Sequence, residues 1–398
     1  MKVLYTALLA LLLFPSCRRQ SGDIDSFLHN AESLMNEHPE DALSIIRHID
    51  RRKIYSSASE ARYALLYSQA LDKNYVDVTS DSLTAVAVNY YDRHGTKHER
   101  AMAHYYQGRV YSNAGNFDAA IRSYSLAEDA ASGTDDYYLL GLINNAVGNL
   151  YYDQYDLKEA LSRDQHAATY FHLAQSPYNE ALAYVGMGIV SNLMGDNEGM
   201  EKEYQKAIAI YEEIGAINEI LPLYEDLVVK TRLDVGDDLF AIKRDLRRYY
   251  AKYNKGEIPL QSMGLWQGIY LKANELDSAR LCGEIILHNR SSFTSHKIAG
   301  CYSLLERIET ARGNYPEAYR YVKLYIAVMD SINQEKEEAL VLELEQKYRN
   351  RILNQSYENL KQHNDQQRII TGLVLLFSLS LLVAGLLSTC VNGVRMRP

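Results

Sequence analysis

His94 and His98 stand four residues apart, and His104 follows six later. On an unbroken helix an i, i+4 pair of imidazoles shares one face and can hold a metal ion. Gly95 falls between the two, in a stretch that reads as a link between helices. Solvated link residues are therefore the expected reading. The four cysteines, Cys17, Cys282, Cys301 and Cys390, form no CxxC and no Cys/His cluster, which leaves no ligand set for structural zinc. Cys282 and Cys301 fall on neighbouring helices of the pattern described below. Two buried thiols are the default there, and a disulfide is the alternative in an oxidising compartment. Cys390 reads as an apolar bystander, with palmitoylation as its alternative. No HExxH, phosphate-binding glycine loop or nucleophile–base set occurs. Acidic pairs such as Glu212-Glu213 and Asp237-Asp238 read as solvated faces. The chain is expected to need no cofactor or metal and to be no enzyme.

The elements that would carry a binding surface can be read from composition and period. Hydrophobic residues make up 47% and charged residues 23%, with 7 Pro and 22 Gly, a balance too apolar for a disordered chain. A net charge of −9 without a basic stripe argues against nucleic acid as partner. Tyr is used 33 times against 7 Phe and 1 Trp. Its ring buries area while its hydroxyl stays wet, which suits half-packed helix surfaces.

The same residue types return at a fixed interval. Gly108, Tyr111, Gly115, Ala120, Tyr124 and Ala127 are followed by Gly148, Tyr151, Tyr155, Ala160 and Ala167, and then by Gly188, Gly195, Tyr204 and Ala207. The register continues through Phe240 to Ala279 and Ala318, with steps of 40, 39 and 39 residues. Gly108 and Ala120 stand where two helices cross closely, and the tyrosines fill the gaps beside them. Asn116, Asp156 and Asn314 are placed to cap a second helix, and Pro316 suits a first turn. Two weaker pairs precede, Ile24–Asn36 with Glu40–Arg51 and Glu60–Asp72 with Ser80–Tyr91. A degenerate pair lies around 221–253, with Val228 where glycine is expected. About eight pairs are expected over residues 22–330.

This spacing resembles the tetratricopeptide repeat family, although its usual period is shorter. The resemblance implies an all-α, right-handed α-solenoid of helix pairs, with a ligand groove lined by the first helix of each pair. Carried over residue by residue, that groove holds Tyr105, Arg109, Asn113, Asn145, Asn149, Tyr152 and Asn192. Such side chains can bond the backbone or a carboxylate of a protein or peptide ligand. Merely exposed residues on a structural solenoid are the alternative.

The two ends are apolar. Residues Val3 to Phe14 follow Met-Lys, the layout of a signal peptide over 1–17. The small residue before Cys17 resembles the lipobox of bacterial lipoproteins, which implies lipidation at Cys17; Phe14 and Pro15 depart from that pattern. Ile369 to Val391 holds no charge over 23 positions, roughly 35 Å as a helix and long enough to span a membrane. Between them, residues 331–368 are expected to form a long linker helix. Its broken heptad allows a coiled coil and a homodimer. With the leader deciding orientation, the solenoid is expected to face the periplasm from the inner membrane, leaving 392–398 as a short cytoplasmic tail. The expected role is a membrane-anchored interaction scaffold or sensor. The layout also resembles the sensor half of membrane-anchored helix-turn-helix regulators, so a truncated regulator is the alternative.

Overall fold

The computed structural model describes residues 18–233, 238–334 and a few positions between 336 and 371. These residues are helical throughout, with no strand among them. The expected leader with Cys17, the tail, and nearly all of the expected linker helix and span lie outside the described residues. No helix among the described residues is long and apolar enough to cross a membrane. The chain divides into two compact units, residues 1–265 with 272–274 and residues 266–271 with 275–398.

In the first unit, helices follow one another as antiparallel pairs. The first two pairs are α1 (Arg18–Leu34) with α2 (Pro39–Arg47) and α3 (Ser57–Lys73) with α4 (Thr84–His94). Next come α5 (Lys97–Asn113) with α6 (Phe117–Ala131) and α7 (Tyr137–Asp153) with α8 (Leu157–Leu173). Then follow α9 (Pro177–Leu193) with α10 (Asn197–Ile214) and α11 (Ile220–Val228) with α12 (Leu239–Tyr253). Helix α13 (Met263–Lys272) contributes residues to both units. The second unit adds α14 (Leu276–His288), α15 (Ser295–Ala311) and a helix α16 over 315–334.

Five of the turns inside pairs share one backbone conformation. A residue with positive φ ends the first helix: Gly115 (66°), Tyr155 (63°), Gly195 (78°), Asn274 (59°) and Gly313 (77°). The residue after it donates its N–H five residues back, as Asn116 does to Tyr111 O at 2.9 Å, which satisfies a carbonyl that the helix end leaves free. In three of these turns that same residue then caps the second helix. The side chains of Asn116, Asp156 and Asp196 accept from the backbone N–H groups of Ala119, Glu159 and Gly199. Tyr155 breaks the glycine pattern, and its Cβ crowds the backbone in this conformation. Tyr155→Gly should stabilise the fold by about 1 kcal/mol, less the extra entropy glycine gives the unfolded chain. A chemical melt with an unchanged or lowered midpoint would contradict this.

Close helix crossing explains the recurring glycines. A Cβ placed on Gly108 would lie 2.5 Å from the ring of Tyr124, and one on Gly188 would collide with Tyr204. At the equivalent place between them, Gly148 faces Asp164 instead, 2.7 Å from its Oδ1. The cores are otherwise alanine, leucine and tyrosine. Residues from α3 to α7 form one buried cluster around Tyr105, Tyr124 and Ile143. A second joins α1 to α3, and a third joins α9 to α11. The degenerate pair departs from the pattern visibly: α11 is short and runs into a π-turn over Val229–Leu233. There Tyr224 stacks on Tyr249, with ring centroids 3.7 Å apart.

In the second unit Trp266 is wholly buried. Cys282 and Cys301 are both free and buried. Burial pushes the two thiols up, to about 11 and about 12. The Cys301 thiol donates to the carbonyl of Gly283 at 3.6 Å.

Candidate ligand groove on the first-helix face

The first helices α1, α3, α5 and α7 present one shared face. Met35, Leu65, Met102, Tyr106, Tyr138 and Leu142 line a pocket of about 340 Å³ there. Along α5 and α7 the lining residues recur every three or four positions, so they fall on one stripe of each helix. On α7 the stripe is Tyr138, Leu142, Asn145, Asn149 and Tyr152. Forty residues on, α9 repeats it with Tyr178, Leu182, Val185, Ile189 and Asn192. Tyr138, Tyr152, Tyr178, Leu182 and Ile189 remain between 38% and 42% exposed. Large apolar groups left open along one face mark a binding surface more often than a scattered Leu does.

Charge around the pocket is mostly paired. Arg62 meets Glu32 at 2.5 Å, and the His98 imidazole meets Asp136 at 2.5 Å. The hydrogen bond that His98 donates to Asp136 raises the His98 pKa, and the same bond lowers that of Asp136. Asp136 also caps α7, accepting from Leu139 N–H at 3.3 Å. Gln69 and Lys73 join the lining, and Lys73 has no ion-pair partner among the described residues. A pocket with apolar floor, exposed rings and a few polar groups has the composition of a ligand site.

The residues expected from sequence land in different places. Tyr105 is on the pocket wall but only 6% exposed, and its ring packs edge-on against Tyr106 at 5.0 Å. Arg109 is committed to Asp72, with Nε 2.7 Å from Oδ1. Asn113 donates to the carbonyl of Val78 at 3.4 Å and ties down the α3–α4 connection. Asn145 is half-buried and turned toward Asp164, whose pKa it lowers. Asn149 and Tyr152 are exposed, and Asn192 is half-buried. The structure brings Asn145, Asn149 and Tyr152 onto one stripe of α7, with Asn192 at the matching place on α9. Arg109 and Asn113 sit instead beside the α3–α4 connection. Sequence reasoning missed Arg62, Gln69, Lys73, Met102, Tyr138 and Leu142. The signal available was the 40-residue period itself: Tyr138 and Tyr178, or Leu142 and Leu182, are the same position one repeat apart.

The three histidines are separated. His98 goes to Asp136, His104 Nε2 donates to Asp92 Oδ1 at 2.8 Å, and His94 packs on Tyr90 at 4.9 Å. Among the described residues no group of three or more His, Cys, Asp or Glu side chains could hold a metal ion.

Helix pairs of this size, several with a positive-φ turn and a capped second helix, and with glycine at the crossings of Gly108, Gly148 and Gly188, have the form of tetratricopeptide-type repeats. One solved structure supports that fold. A signal-transduction ATPase of the STAND class with a tetratricopeptide repeat sensor, from Pyrococcus horikoshii, aligns with TM-score 0.52 at 13% identity. The alignment covers 78% of this chain and 51% of that one, so the chain spans about half the length of that protein. The apo form of RapI aligns with TM-score 0.48 at 12% identity, over 69% of this chain and 99% of that one. The apo quorum sensor NprR from B. thuringiensis gives 0.46 at 12% identity, over 77% of this chain and 99% of that one. No protein-family model and no curated protein matches the sequence.

Proposed function

We propose that this chain is a non-enzymatic interaction module that captures a peptide segment of a protein partner along its first-helix face. The observation that carries this reading is the pocket of about 340 Å³ continued by the open apolar stripes of α7 and α9. Tyr138, Tyr178 and Leu182 receive apolar side chains of the ligand. Gln69, Lys73 and Asn149 bond its backbone or a carboxylate. Binding of this kind needs a rigid face, which the capped helices and close crossings supply.

The test is affinity capture of the full chain from solubilised membranes, with Tyr138→Glu/Leu182→Glu beside the parent. Both positions are exposed, so the helical circular dichroism should be unchanged. Partners seen with the parent should be lost, and an identical partner set would sink the proposal. Arg109→Ala is a poor probe, because it strips Asp72 of its ion-pair partner and reports on the fold.

The membrane setting belongs to the same proposal. Residues 1–17 act as leader, with Cys17 lipidated, and 369–391 anchors the chain in the inner membrane with the repeats on the periplasmic side. A periplasm-dependent reporter fused after Ser331 should be active. Activity of a cytoplasm-dependent reporter at the same position would reverse the orientation.

A further inference from the structure

A second surface lies at the start of the array, away from the proposed groove. Arg47, Arg51, Arg52 and Lys53 stand against one carboxylate, Asp50, in seven residues of a chain whose net charge is −9. They follow from the way α2 ends: the helix stops at Arg47, and a single 3-10 turn over Arg51–Lys53 is capped by Asp50. Asp50 is fully engaged by that turn. It accepts from the Arg52 N–H at 3.2 Å and from the Arg52 guanidinium at 3.0 and 3.1 Å. Arg51 is held by Glu60 at 3.0 Å. Arg47 and Lys53 have no ion-pair partner among the described residues, and both are exposed.

Open apolar groups border this cationic turn. Ile24 and Phe27 of α1 face Ile45 and Ile49 across a cleft of about 260 Å³, with Lys53 at its rim. Phe27 is 53% exposed, and Tyr55, two residues past Lys53, is 67% exposed.

We infer that this tip of the first unit is a peripheral docking surface for an anionic phospholipid bilayer. Rings such as Phe27 and Tyr55 enter the region between headgroups and acyl chains, and the cleft takes apolar lipid contacts. Arg47 and Lys53 lie beside the phosphates, their stems along the apolar rim. Charge complementarity selects the partner: a cationic turn on an acidic protein is attracted to a negative leaflet, while the rest of the chain is repelled from it. The consequence is orientation. The array is laid with its first pair against the lipid.

The test uses the full chain in lipid nanodiscs and replaces Phe27 by tryptophan. Trp266 is wholly buried and supplies a constant, shielded background. In discs of phosphatidylcholine with about 30% phosphatidylglycerol, emission from Phe27→Trp should shift to the blue and be quenched by brominated acyl chains. In phosphatidylcholine alone, quenching should be much weaker. Adding Arg47→Gln/Lys53→Gln should lower the docked-to-free ratio about 30-fold, at roughly five-fold per cation removed. Raising the salt from about 0.1 to 0.5 M should act in the same direction. Arg47→Lys/Lys53→Arg keeps both charges and should restore quenching, which separates lost charge from a damaged fold. Absence of quenching in the anionic discs overturns the inference. So does equal quenching with and without phosphatidylglycerol, and so does quenching that the glutamine variant leaves unchanged. Capture of a partner by the groove is read separately and does not bear on this result.

Discussion

Asp164→Asn is expected to raise the unfolding free energy at pH 8 by up to about 4 kcal/mol and to leave it nearly unchanged at pH 3. Asp164 lies on α8 at the place where Tyr124 and Tyr204 stand in the flanking pairs. It is 4% exposed, and its Oδ1 has no hydrogen-bond partner. Gly148 and Gly186 close over it from α7 and α9. Burial pushes its carboxyl from the ordinary 3.8 up to about 7, opposed weakly by the hydrogen bond from Asn145. The unfolded chain gives up this proton near pH 4, while the folded chain keeps it to about pH 7. The unfolded state therefore binds fewer protons across that interval, and stability falls as pH rises from about 4 to about 7. Above that it levels off. At about 1.4 kcal/mol per unit of raised pKa, the interval amounts to roughly 4 kcal/mol, and water reaching the site would lower it. Asparagine has nearly the same shape and cannot ionise, so its curve should lack this fall, and the gap between variant and parent should open from about pH 4 to about pH 7. Urea midpoints followed by circular dichroism from pH 3 to 8 give the comparison. Parallel curves for parent and variant would show that Asp164 does not keep its proton.

Gly108→Ala is expected to destabilise the first unit by about 2 kcal/mol. The added methyl would sit 2.5 Å from the Tyr124 ring, and Tyr124 is wholly buried, with no room to turn. Overpacking of this kind costs about 3 kcal/mol, and the better helix propensity of alanine returns about 1. The effect should depend on Tyr124. Once Tyr124→Leu has made room, Gly108→Ala should be neutral or stabilising, a coupling of about 2 kcal/mol in a double-mutant cycle. Additive changes would mean that the crossing does not depend on this contact.

The parts of this molecule that were legible in sequence are the local ones. Gly108, Gly148 and Gly188 announced the crossings because only a hydrogen fits there. Asn116 and Asp156 announced the second helices because their side chains cap the next turn within three residues. The groove was legible as a face but not as a set of side chains. Arg109 reads as a ligand-binding cation until Asp72, 37 residues earlier, is seen beside it. Asn145 reads as an exposed amide until Asp164 turns out to lie on its inward side. Pairings between helices of different pairs follow from rotation about each helix axis, and a period does not fix that rotation. Asp164 was passed over for a related reason. A lone aspartate on a helix normally faces water, and only its register with Tyr124 and Tyr204 marks it as buried.

The central claim is that the first-helix face receives a peptide. Site-specific photo-crosslinking in the native cell tests it directly. Benzoylphenylalanine replaces Tyr138 on α7 or Leu182 on α9, and Leu126 on the second helix α6 serves as control, since it is 50% exposed. The expected result is a discrete crosslinked partner from positions 138 and 182, lost in the presence of Asn149→Ala, and none from 126. A partner captured at 126, with neither first-helix position reacting, would place the binding surface elsewhere and contradict the account.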